Sequence, residues 1–286
     1  MRRSHPPRTA LITGANHGIG LALTRRMLDE GWEVLALIRS AFAEDDPLIH
    51  KALGSRQLRI YKADLSDFGQ LRSALQDINR HESHIDILFN NAGGSFPELL
   101  LSKQGRELHY ELQTVVPYIL TMELKPLLLK GTLRTVVNTS SNAFMMKRSF
   151  DPASLERPAK FQMLTGPYAD TKRAMSLWTE AVASELAAEG ILIRSADPGG
   201  NNTLRSGKKS GIPFWLRPIT RMFFPAPAHG AGLLYQAALG EHSGRSGVFL
   251  HKNQVTPLKF SEHGSTILKN VQAIYQREFV QTNSAL

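Results

Sequence analysis

The sequence contains no cysteine. That absence excludes a disulfide framework, thiolate metal ligands and a cysteine nucleophile, and it suits a reducing compartment. Long apolar runs are missing too. Nowhere do about 18 apolar residues follow one another, so no spanning helix is expected. The basic start carries Arg2, Arg3 and Arg8, and the apolar run behind it reaches Gly14 too soon for a secretory h-region of roughly 7–15 residues. It reads as a short tail entering a first strand, and the expected location is the cytoplasm. Internal repeats and low-complexity linkers are also lacking. His5, His50, His81, His84 and His109 do not share metal-ligand spacing with carboxylates, so no metal is expected.

The net charge is +9, from 34 basic and 25 acidic side chains. Apart from Lys147–Arg148 and Lys208–Lys209 the basic residues are scattered, with no aromatic-interleaved stripe. This fits an anionic cofactor or substrate better than nucleic acid. The 286 residues suffice for one large α/β domain or two small ones.

Short apolar runs recur and alternate with helical stretches. They are Thr9–Thr13, Val34–Ile38, Leu58–Tyr61, Ile85–Phe89, Thr135–Thr139, Ile191–Ser195 and Gly247–Leu250, with helices from about Gly18 to Glu30 and from near Asp67. Runs without polar alternation suit strands buried on both faces. Strand–helix alternation gives right-handed crossovers that wind helices onto both faces. The expected fold is a single Rossmann-type α/β domain, a doubly wound parallel sheet over 1–286. Two long interruptions, 142–167 and 204–227, fit substrate-mouth segments.

Thr13-Gly14-Ala15-Asn16-His17-Gly18-Ile19-Gly20 joins the first strand to the first helix. Glycines let a backbone approach a diphosphate, and a helix N-terminus offers free N–H groups and a positive dipole end. The spacing is G-x-x-x-G-x-G, unlike the commoner dinucleotide fingerprint. The second strand ends Leu37-Ile38-Arg39, with no carboxylate before Glu44. A carboxylate there would bind the ribose hydroxyls of NAD and repel a 2′-phosphate, whereas Arg39 can pair with that phosphate and His17 can add a donor. The expected cofactor is NADP(H).

Tyr168-Ala169-Asp170-Thr171-Lys172 opens a helical pattern that runs to about Glu189. A spacing of four puts Tyr168 and Lys172 on one helix face. A cation beside a phenol lowers its pKa and suits it to general acid–base work. Ser141 follows the Thr135–Thr139 strand, at the sheet end where open α/β proteins bind ligands.

Together these residues resemble the short-chain dehydrogenase/reductase family from Thr9 to about Thr203, in particular its retinol-dehydrogenase-like or carbonyl-reductase-like branches with a long serine-to-tyrosine segment. Gly14 to Gly20 look like the family's cofactor loop, and Asp64-Leu65 like its adenine-contacting pair. Asn90-Asn91-Ala92-Gly93 look like its N-N-A-G motif. Asp197-Pro198-Gly199 with Thr203 look like its P-G-x-x-x-T segment beside the nicotinamide. The resemblance implies that Tyr168 exchanges a proton with the substrate oxygen, Lys172 holds the nicotinamide ribose and Ser141 polarises that oxygen. Where the family carries an asparagine supporting a water-linked proton relay, this chain has Gln113, one methylene longer. The family often dimerises through the helices around Gln113 and Tyr168.

The 204–227 stretch holds Pro213, Phe214, Trp215, Leu216, Phe223 and Phe224. Two readings stand: a wall for a bulky apolar substrate, or a flap packed on the domain or a subunit contact. Docking on a membrane surface is a third, disfavoured by Pro213 and Pro218, which break an amphipathic helix despite Arg217 and Arg221. The leading function is an NADP(H)-dependent ketone or aldehyde reductase, or the matching alcohol dehydrogenase, acting on a medium-to-large apolar small molecule. The rival is a cofactor-binding sensor or scaffold that does not turn over.

Overall fold

A computed structural model describes residues 7–200 and 226–281. The first strand, β1 (Thr9–Thr13), is buried along its whole length. It shows why the sheet is covered twice: Leu11 joins one apolar cluster, while Ala10 and Ile12 join another on the opposite face. The next elements are α1 (Gly18–Asp29), β2 (Glu33–Ile38), α2 (Pro47–Gly54), β3 (Leu58–Lys62), α3 (Phe68–His81) and β4 (Ile87–Asn90). Local chemistry sets their limits. Asp46 caps α2 ahead of Pro47, and Asp67 caps α3 by accepting from the Gly69 and Gln70 amides. Past α1, Gly31 sits at φ +83°, and the Trp32 amide donates back to the Met27 carbonyl, ending the helix.

A short α4 (Leu108–Tyr110) runs into a π-helical turn, Glu111–Val115, then α5 (Val116–Glu123) and α6 (Lys125–Lys130). The cause of the wide turn is Pro117, whose missing N–H leaves the Gln113 carbonyl without its α-register donor. After β5 (Thr135–Thr139) come 3₁₀ turns at Asn142–Met146 and Pro152–Ser154, then the long α7 (Pro167–Ala188) and β6 (Leu192–Asp197). The chain closes with α8 (Pro227–Leu239), β7 (Phe249–His251), β8 (Gln254–Val255) and α9 (Gly264–Ile274), which continues as a π-helical turn through Val280.

The strands form one eight-stranded sheet in the order β3-β2-β1-β4-β5-β6-β7-β8. All neighbours are parallel except β7 and β8. Helices α3, α5, α7 and α9 cover one face, while α1, α2 and α8 cover the other. The expected doubly wound Rossmann architecture is what forms. Its order reverses between β1 and β4, which places a ligand crevice at the carboxyl ends of those strands.

Candidate active site

Thr13 ends β1 and fastens the two sides of that crevice. Its Oγ1 accepts from the amides of Asn91 (2.9 Å) and Ala92 (2.8 Å), and its carbonyl accepts from Asn91 Nδ2 (3.0 Å). The glycine loop therefore lies against the Asn90–Gly93 segment. Gly14 adopts φ +65°, and a Cβ on Gly20 would stand 2.2 Å from the Gly14 carbonyl oxygen, so neither position accepts a side chain. The N-cap residue of α1, His17, makes no side-chain capping hydrogen bond, and the helix opens directly on this loop at Gly18, with Ile19 and Gly20 in its first turn.

The loop is also tied to the end of β2. Asn16 Nδ2 donates to the Ser40 carbonyl (2.6 Å), and Ser40 Oγ lies 3.4 Å from His17 Nε2. Arg39 stands here with its side chain 66% exposed, 3.3 Å from Asp64 of the adenine-type pair Asp64-Leu65. Burial works against the Asp64 carboxylate, but hydrogen bonds from Ser66, and after them Arg39, hold its pKa below the usual value. So open an ion pair holds weakly, and Arg39 can exchange it for an anionic ligand.

The catalytic candidates come together where β5 meets α7. Two serines follow β5 and face different ways. Ser140 is buried against Ser176 of α7 (Oγ to Oγ 2.8 Å), whereas Ser141 is half-buried and its hydroxyl acts on the Tyr168 phenol. Ser141 Oγ also accepts from the Ala143 amide (3.2 Å), which fixes its rotamer. Lys172, 5% exposed, donates from Nζ to the Thr139 carbonyl at 2.6 Å.

The expected depression of the tyrosine pKa is not what this geometry gives. Burial pushes the Tyr168 phenol up, the Ser141 hydroxyl offsets part of that, and Asp197 pushes it further up. The reason lies in the lysine: its ammonium is directed at a carbonyl, and burial lowers its own pKa to about 7, with Asp197 opposing. The spacing brings the two residues to one place but does not make the phenol acidic.

Gln113 is buried in the π-helical turn, and its Nε2 donates to the Gly94 carbonyl (2.6 Å). Its Oε1 is buried with no partner among the described residues. The turn is locked to α7 beside Lys172, because Thr114 Oγ1 donates to the Thr171 carbonyl (2.9 Å) and Trp178 Nε1 to the Thr114 carbonyl (3.2 Å). Pro198 and Gly199 follow β6 at the same sheet end, where the Gly199 amide donates to Asp197 Oδ1 (3.0 Å). Thr203 and nearly all of the 204–227 stretch, including Phe214, Trp215, Phe223 and Phe224, lie outside the described residues.

The sequence reading missed several neighbours. The His109 ring packs edge-on against Tyr168 (centroids 5.9 Å apart). It accepts from the Phe96 amide through Nε2 and donates from Nδ1 to the buried Glu107 (2.6 Å). Arg173 reaches from α7 to the Phe144 and Lys147 carbonyls and lies over the rings of Phe144, Phe150 and Phe260. With the Lys147–Asp170 ion pair it clamps the start of the 142–167 segment beside Ser141. The spacings Glu107-x-His109 and Pro117 were the available signals; nothing in the sequence joins Arg173 to its carbonyls.

Comparison with known proteins now decides the relationship. A family model described as short chain dehydrogenase matches residues 8–210. The chain belongs to the short-chain dehydrogenase/reductase family. It is an oxidoreductase of that family, and its relatives are retinol-dehydrogenase-like. Human dehydrogenase/reductase SDR family member 13 is 30% identical over 267 residues, covering 87% of this chain and 68% of that protein. Human retinol dehydrogenase 11 is 28% identical over 243 residues, covering 82% and 74%. Among solved structures, a putative uncharacterized protein from Mycobacterium paratuberculosis superposes with a TM-score of 0.67 at 22% identity, covering 95% and 94%. NADPH-bound carbonyl reductase from chicken fatty liver gives 0.64 at 21%, covering 88% and 95%. Both likenesses concern the fold. Among the described residues, no helix of this family member is long and apolar enough to cross a membrane.

Proposed function

We propose that this family member is an NADP(H)-dependent oxidoreductase that reduces a ketone or aldehyde of a medium-to-large apolar small molecule, with Tyr168 as general acid. The observation that carries this reading is the gathering of Ser141, Tyr168 and Lys172 at the carboxyl end of β5, with Lys172 Nζ held by the Thr139 carbonyl (2.6 Å). A phenol held above its ordinary pKa keeps its proton at neutral pH and can give it to a developing alkoxide. Ser141 donates a hydrogen bond to the same oxygen and fixes its position. Lys172, one turn further along α7 with its Nζ on the Thr139 carbonyl, supplies a positive charge at the same end of the sheet. In the opposite direction the same groups remove the alcohol proton.

The crevice residues fit a dinucleotide: two glycine positions exclude a side chain, a helix N-terminus opens on the loop, and cationic and hydroxyl groups gather at the end of β2. Nicotinamide supplies or takes up the hydride when bound. Gly14, Asn16, Gly18, Ile19 and Gly20 would line the diphosphate; Asp64, Leu65, Asn91, Ala92 and Gly93 the adenosine side; and Lys172, Pro198 and Gly199 the nicotinamide end. Arg39, with Ser40 and His17, supports NADP(H) over NAD(H), because an arginine attracts a 2′-phosphate that an acidic residue would repel. Solved structures of the same fold are described with NADPH in two cases and with NAD or NADH in two others, so the choice rests on Arg39.

Among the described residues, four of the five large exposed apolar side chains lie on the two loops that leave the carboxyl ends of β4 and β5: Leu99, Leu101, Met146 (88% exposed) and Leu164. They support an apolar substrate, as do the names of the retinol dehydrogenase relatives. The test is a panel of apolar aldehydes and ketones with NADPH oxidation as readout. Turnover with NADPH well above that with NADH is expected. No turnover of any carbonyl or alcohol, with NADPH still bound, would favour a cofactor-binding sensor instead.

A further inference from the structure

One buried carboxylate at the end of β6, Asp197, takes no part in the chemistry proposed so far. It is 3% exposed and lies at the sheet end where Tyr168 and Lys172 meet. Its register explains the position. Thr139, whose carbonyl holds Lys172 Nζ, pairs with Ala196, and the Ser140 amide donates to the Ala196 carbonyl (2.7 Å), so Asp197 is the next residue along that edge. Two donors hold the carboxylate. The Gly199 amide reaches Oδ1 at 3.0 Å, and His251, its cross-strand partner on β7, reaches Oδ2 at 2.8 Å through Nδ1. A carboxylate only accepts, so His251 Nδ1 is the protonated nitrogen.

Among the described residues, the other charged groups on the elements around Lys172 are engaged elsewhere. On α7, Asp170 pairs with Lys147 and Arg173 binds carbonyls. On α4 and the π-helical turn, Glu107 bonds His109 and Glu111 bonds Arg106. The end of β5 contributes hydroxyls, and Gln113 an amide. A buried ammonium needs a nearby anion to stay charged.

We propose that Asp197, held in place by His251, is the counter-charge that keeps Lys172 cationic, making Asp197 and His251 positioning residues that set the alkaline limit of the reductive activity. The inference rests on the proposed role of Lys172 and Tyr168. The electrostatics run the same way for both groups: Asp197 favours the protonated lysine and the protonated tyrosine. Reduction needs both protons in place, so a neutral residue at 197 brings the alkaline loss of activity to lower pH.

The test uses Asp197→Asn and Asp197→Ser in the full chain, since Asn keeps the volume and Ser keeps an acceptor for the Gly199 amide. The Lys172 titration is read by NMR of 13Cε-labelled lysine without cofactor, its signal assigned by loss in Lys172→Met. The wild-type midpoint is expected near 7. In either neutral variant it should fall by about one pH unit, the low end of what an adjacent opposite charge supplies. The alkaline limb of NADPH-dependent reduction should move the same way, with kcat at low pH little changed. An unmoved midpoint in a folded variant overturns the proposal. This outcome is separable from failure of the catalytic reading, because the apoprotein titration does not depend on turnover.

Discussion

Burial of the Lys172 ammonium makes the folded chain pH-sensitive in one direction. Its pKa falls to about 7 from 10.5, so the unfolded chain binds the extra proton between those values. The penalty of the buried charge is then complete below about pH 7 and is relieved as pH rises toward 10.5. Lys172→Met should therefore be more stable than wild type at pH 6.5, with the difference shrinking by about pH 9.5; urea unfolding at both values measures it. Arg39 carries the cofactor choice. Arg39→Ala should raise the KM for NADPH at least about tenfold, or about 1.4 kcal/mol, with little change for NADH. An equal effect on both cofactors would remove Arg39 from 2′-phosphate recognition. These residues were legible as a set because each ends or opens an element at the same edge of the sheet. The direction of the Tyr168 shift was not, since it depends on where the lysine head points, and Thr139 takes it.

At the scale of elements, the strands were readable because both faces of the sheet are covered and the apolar runs are uninterrupted. Their ends were less so: β4 starts at Ile87 rather than Ile85, because the Ile85 amide bonds the Leu127 carbonyl instead of a neighbouring strand. The widened turn around Gln113 had one signal in the sequence, Pro117 four residues on, which the sequence reading did not use. The segment beyond Ser141 depends on a contact no spacing reveals. Arg173 is buried and holds the Phe144 and Lys147 carbonyls, so Arg173→Met should cost about 2 kcal/mol by leaving them unpaired. It should also raise substrate KM more than it lowers kcat, the outcome expected of a segment proposed to wall the crevice. A variant with unchanged stability and KM would show that the clamp does not hold that wall.

For the molecule as a whole, the C-terminal helix matters most. The family's dimerising helices correspond here to α5 and α7, and α9 packs over them within one apolar cluster. Tyr275 stacks edge-on against Tyr118 and donates to Glu123 (2.6 Å), while Arg106 bonds Glu278 (2.6 Å) and Arg72 the Phe279 carbonyl (2.9 Å). A face already covered by its own chain does not offer the same surface to a second copy. Light scattering at micromolar concentration should therefore give a monomer, and a dimer cross-linked through α7 would contradict it. The sequence reading left this open because the region after Leu250 carries no motif, and its cover forms only through tertiary packing.

The most direct measurement is single-turnover reduction by Tyr168→Phe with NADPH and an accepted carbonyl, alongside NADPH binding by fluorescence. If Tyr168 is the proton donor, hydride transfer falls by about two to four orders of magnitude, the range typical of general acid–base catalysis, while NADPH affinity stays within a few-fold of wild type. Unchanged transfer in Tyr168→Phe would contradict the mechanism outright.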